Sequence, residues 1–167
     1  ISITVSASSF VPKAHTPFQW EGQEAGNSLR EKQHYLKDKM RNMKNVTFNY
    51  HDVEVSFMEA AFARGDRRLG DVLEKAWALG CKFDGWSEHF RYQKWIDAFN
   101  ACGLDPEFFA NRKFVVDEVL PWDHLSSGVT KEWMLKEYQS ALGGTRTLDC
   151  RENACHECGV CPQLDIW

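Results

Sequence analysis

Four of the chain's six cysteines fall inside "DCRENACHECGVC" (149–161), at Cys150, Cys155, Cys158 and Cys161. Thiolates are soft metal ligands, and a C-x2-C interval lets one tight turn aim two sulfurs at a single ion. The full spacing is C-x4-C-x2-C-x2-C. Gly159 lies in the tightest part, where wrapping around a metal calls for positive φ. Pro162 follows the last cysteine, as a proline does in bacterial ferredoxin runs. Three readings compete. An iron–sulfur cluster suits the compact C-x2-C-x2-C run. Zinc suits the number of ligands, although structural zinc sites usually join two C-x2-C pairs across roughly a dozen residues or more. The third is a tail of plain thiols or an incidental disulfide, since reducing compartments seldom keep structural disulfides. Cys81 and Cys102 stand at helix ends, far from any such partner, and read as small buried hydrophobes.

Other polar groups cluster more loosely. "ARGDRRLGD" (63–71) gathers Arg64, Arg67 and Arg68 around Asp66. That turn is able to clamp a phosphate or carboxylate, or simply to cap two helix ends with charge. "FDGWSEHF" (83–90) brings Asp84, Glu88 and His89 together, with Ser87 placed to cap a helix. Asp123 and His124 in "LPWDHLSSG" suit proton transfer in type, as do His51 and Asp52, but sequence neighbours often point apart. The site candidates among these residues are Arg67, Asp84, Glu88 and His124. The chain has no G-x4-G-K-[ST], G-x-G-x-x-G, H-E-x-x-H or G-x-S-x-G.

These residues need elements to hold them. "ISITVSAS" alternates apolar and polar residues like a half-buried strand. Pro12 and Pro17 force an extended loop after it. Asn27 or Ser28 is placed to cap a helix whose apolar face carries Leu29, Leu36, Met40 and Met43. "VTFNY" (46–50) is a second short strand. Helices follow over "VEVSFMEAAFARG", "RRLGDVLEKAWALG", "FRYQKWIDAFNACG", "DPEFFANRK" and "TKEWMLKEYQSALGG", the last capped by Thr130. The fold class is α+β and mostly helical: one or two short leading strands, a helical body and a Cys-rich tail. The organisation expected is 1–20 as a strand and loop, 21–144 as a helical region and 145–167 as the metal-binding tail. Two strands do not make an independent sheet, so Ile1–Ser8 is expected to pair with strands outside this chain. The chain opens on Ile1 already in strand pattern, and so reads as a piece of a longer protein.

At 167 residues, 43% hydrophobic and net charge −4, the chain has material for a real core. No basic block marks a nucleic-acid footprint. No stretch reaches the roughly 18 apolar residues that cross a bilayer, and no signal-peptide pattern is present. A soluble, cytoplasmic protein is expected.

The loop "SSFVPKAHTPFQW" (8–20) resembles the segment that follows the last barrel strand of certain radical S-adenosylmethionine enzymes. With "FARGDRRLGDVLEKAWALG", "FDGWSEHF", "LPWDHLSSGVTKEWMLKEYQSAL" and the closing "CHECGVCP", the ordered set is similar to one branch, the cobalamin-binding-domain-containing radical S-adenosylmethionine proteins of unassigned reaction. That resemblance implies an amino-terminal cobalamin domain, S-adenosylmethionine, and a partial (βα) barrel whose C-x3-C-x2-C motif holds a 4Fe–4S cluster. This chain has no C-x3-C-x2-C. The resemblance therefore implies an accessory region whose partner is the missing barrel of the same protein. Cys150, Cys155, Cys158 and Cys161 would be an auxiliary iron–sulfur or zinc site, and Pro12, His15, Thr16 and Pro17 would belong to the post-barrel loop on the substrate side, which adds His15 to the substrate-side candidates Arg67, Asp84, Glu88 and His124.

Overall fold

Alternation does produce a strand at the start of the chain: β1 spans Ile3–Ala7. Its neighbour is β2 (Val46–Tyr50), and the two run parallel, with Ile3 opposite Val46 and Ala7 opposite Tyr50. Parallel pairing needs a crossover, which α1 (Gly26–Met40) supplies. The leading strand thus finds a partner within the chain, and β1–α1–β2 is a βαβ unit. Parallel sheets are ordinarily covered on both faces, yet Ile3 is 53% and Tyr50 43% exposed. Helix α1 opens at Gly26 behind Ala25, which makes no side-chain cap. The expected cap Ser28 instead donates to Glu24 Oε1 at 2.5 Å.

The structure, a computed structural model, describes residues 1–163 and divides into two compact units. The first holds residues 1–11 and 22–112, the second 12–21 and 113 onward. Among the described residues no helix is long and apolar enough to cross a membrane.

In the first unit the βαβ unit is followed by α2 (Val53–Arg64), α3 (Leu69–Ala78), α4 (Tyr92–Ala101) and α5 (Pro106–Ala110). Asp52 starts α2 by accepting from the N–H groups of Glu54 and Val55 at 2.7 and 3.2 Å, so this carboxylate serves as a cap. Helix α2 packs on α5 and α3 on α4. Small residues let them approach closely: Ala60, Ala61, Ala76, Ala98 and Ala110 are fully buried beside Phe99 and Val72. Only part of the apolar stripe of α3 is used. Leu69, Val72 and Ala76 are buried, while Leu73 is 50% exposed.

In the second unit a 3-10 turn (Pro17–Trp20) packs on α6 (Lys131–Leu142). Trp20 is wholly buried among Phe114, Leu120, Trp122, Met134 and Tyr138. Thr130 caps α6 as expected, its Oγ1 accepting from Trp133 N–H at 3.2 Å. Glu21 accepts from Tyr138 Oη and, at 2.7 Å, from Lys113 Nζ. That hydrogen bond raises the lysine above its usual range. A short helix α7 (Val160–Gln163) carries Cys161.

Candidate metal centre

The cysteine segment leaves α6 at Gly143 and folds back along it. Thr147 Oγ1 donates to both oxygens of Glu137, at 2.7 and 2.9 Å. The His156 ring stacks on Trp133 with centroids 5.3 Å apart and 27° between planes. Its Nε2 lies 2.6 Å from Leu148 O. A carbonyl only accepts, so Nε2 carries the proton. Thr130 N–H donates to Cys158 O at 2.9 Å, which pins the second cysteine of the C-x2-C pair to the start of α6.

Local backbone geometry around that pair fixes the Cys155 side chain and the turn that follows it. Glu157 has φ +56° and directs its N–H at Cys155 Sγ, 3.4 Å away. An amide aimed at sulfur orients that side chain, as hydrogen bonds around thiolate ligands do in metal sites. Gly159 has φ +97°, as its place in the motif requires. A Cβ there would also stand 2.6 Å from Thr130 Cγ2 and 3.2 Å from Gly128 O. Gly159→Ala is thus expected to dislodge Cys158 from Thr130. If the four cysteines hold a metal, metal per chain measured after dialysis against a chelator should fall at least about tenfold below wild type in this variant.

The donor set is chemically right for a thiolate-bound centre. Cys150, Cys155 and Cys161 are exposed, Cys158 is half-buried, and none is bridged. Among the described residues no three Cys, His, Asp or Glu side chains converge as a ligand group. The sulfurs must therefore close up by movement of exposed backbone when a metal is held. Cys81 is buried, and burial followed by the Asp84 charge pushes its thiol up and keeps it protonated. Cys102 is half-buried at the end of α4.

The remaining candidates separate. Arg68 takes Asp66 with three bonds of 2.7–3.1 Å, while Arg67 is exposed. Asp84 accepts from Trp95 Nε1 at 3.3 Å. Glu88 is exposed and accepts from Ser87 Oγ at 3.5 Å. In the second unit His124 is exposed. His15, held at φ +55° with its N–H donating to Gln19 Oε1 at 3.2 Å, lines a cavity of about 380 Å³ with Gln19, Asp123 and Lys131. The histidine that shares Asp123's surroundings is thus His15, over a hundred positions away, not its neighbour His124. Lys131 and Gln19 escaped the sequence reading. The one hint was that "HTPFQW" placed a glutamine between two aromatic residues.

Asp123 Oδ2 accepts from Lys131 Nζ at 2.6 Å and Leu120 N–H at 2.9 Å. Burial raises this carboxyl. The Lys131 and Leu120 hydrogen bonds, with the Lys131 and His15 charges, outweigh burial and leave it below its ordinary value. A carboxyl lowered by folding contributes stability above its unfolded pKa and loses it as pH falls through the folded value. Thermal melts should accordingly show an acid-side loss of Tm, beginning just under the ordinary aspartate range, that is smaller in Asp123→Asn.

No family model, no curated protein and no solved structure matches the chain.

Proposed function

We propose that this chain is a carboxy-terminal accessory region of a radical S-adenosylmethionine enzyme, holding an auxiliary metal through Cys150, Cys155, Cys158 and Cys161. Its work is to cap or position substrate and not to generate the radical, because the C-x3-C-x2-C needed for that cluster is absent from its sequence. The observation that carries the metal reading is the Cys155–Cys158 turn, where an amide aims at sulfur and the next carbonyl is tied to α6. The parallel β1–α1–β2 unit supports the barrel reading. It is the building block of (βα) barrels, and its exposed Ile3 suits further strands. When bound, an iron–sulfur centre supplies one-electron transfer, whereas zinc supplies a rigid staple. In the parent protein the partner is the barrel itself, with S-adenosylmethionine, a 4Fe–4S cluster and cobalamin as its groups.

A second reading is a zinc-stapled interaction module without a catalytic role. It is favoured by Trp77, Phe83 and Trp86 in the first unit, each 64–73% exposed, since exposed aromatics are typical of docking surfaces. Anaerobic purification and reconstitution separate the two. About four iron and four sulfide per chain, with a visible shoulder that Cys155→Ser removes, is the expected result. One zinc per chain and no colour selects the second reading, and no metal at all rejects both.

A further inference from the structure

The cavity of the second unit combines hydrogen-bonding capacity of both signs. Gln19 is 2% exposed, and its Oε1 accepts from Trp122 Nε1 at 2.6 Å and from His15 N–H. Those two donors fix which end of the amide is oxygen. Nε2 is left with Met134 Sδ at 3.4 Å, a weak thioether acceptor. A buried amide on the cavity wall therefore keeps an N–H with no oxygen partner. Lys131 Nζ donates to Asp123 and to Glu118 O at 3.1 Å, which leaves one of its three protons. On the acceptor side, Asp123 takes both its bonds on Oδ2, so Oδ1 is open. The exposed Glu132 carboxylate lines the same space. Leu125 and Val129 supply apolar wall.

One ammonium stands against two carboxylates, which disfavours a simple anion, while open donors remain beside the open carboxylate oxygens. A molecule carrying both signs meets every open group. We propose that this cavity binds a zwitterionic α-amino acid with an apolar side chain. Its carboxylate sits toward Gln19 Nε2, Lys131 and the N-terminal end of α6, its ammonium on Asp123 Oδ1 and Glu132, and its side chain on Leu125 and Val129. A helix N-terminus adds favourable potential for the carboxylate, and about 380 Å³ is at the scale of small-ligand pockets.

The test is calorimetric titration of the whole chain with L-leucine, N-acetyl-L-leucine and L-leucinamide. Saturable leucine binding is expected, with both blocked derivatives weaker by at least about tenfold, because each removes one charge. Glu132→Gln, an exposed change, should weaken leucine about fivefold or more and leave N-acetyl-leucine unaffected. Absence of leucine binding up to about 10 mM overturns the proposal. So does N-acetyl-leucine binding as well as leucine, which would mark a carboxylate site only.

Discussion

Gly22→Ala should destabilise the protein by about 3 kcal/mol or more, read as a lowered urea midpoint at unchanged m-value. The cause is space, not backbone conformation. A Cβ on residue 22 would fall on the Asn111 carbonyl, with Asn111 C 2.6 Å away and Arg112 C 3.2 Å away. Backbone cannot swing aside as a side-chain tip can. The neighbouring chain is also clamped: Gln23 N–H donates to Ala110 O at 2.8 Å, and Asn111 Nδ2 to Gln23 O at 2.9 Å. Gln23 in turn reaches Ser56 Oγ at 3.1 Å, so a shift of this segment disturbs the start of α2. Gly70→Ala is the control. Nothing lies within 4 Å of a Cβ there, in the first turn of α3. It should be neutral or stabilising by about 0.5–1 kcal/mol, because alanine restricts the unfolded chain. Equal midpoints for the two variants would refute the close approach.

Arg64→Met should cost about 3–5 kcal/mol. Arg64 is 1% exposed at the end of α2 and donates to the carbonyls of Phe109, Ala110 and Arg112, the Ala110 bond being 2.9 Å. A guanidinium serves several carbonyls from one planar fork, and methionine would leave them buried without this donor. Arg64→Lys should fall between wild type and Arg64→Met, since a single ammonium keeps the charge but not the fork. If Arg64→Met melts within about 0.5 kcal/mol of wild type, other donors reach those carbonyls and the guanidinium is dispensable. Gly22 and Arg64 act on the same stretch, residues 109–112. Because they share that stretch, the double variant should lose less than the sum of the two singles.

Much of the fold was legible locally. Alternation at Ile3 and Val5, the β-branched "VTFNY", the cap at Thr130 and the stop at Gly143 depend on near neighbours, and those elements form where expected. The cysteine spacing and the need for positive φ at Gly159 are likewise written in a few consecutive residues. Partners across long separations were not legible. Arg64, Arg67 and Arg68 look alike as a charged turn, but helical phase turns Arg64 inward beside Ala60 and Ala61, while Arg67 lies beyond the end of α2 in an exposed turn. Asp123 and His124 were suited in type but not tied by any local pattern, and chain folding brings His15 and Lys131 to Asp123 instead. Nor does any local pattern show that β1 takes β2 as its parallel neighbour.

The sequence by itself determined the helices and strands, the cap at Thr130, and four thiols confined to one short tail, because each depends on residues within a turn or two of one another. Tertiary structure alone decided which charges are buried, which histidine shares a cavity with Asp123, and that Cys158 is tied to the first turn of α6. Those outcomes depend on packing between residues tens of positions apart, where burial and hydrogen-bond satisfaction choose among side chains that look equivalent in one dimension.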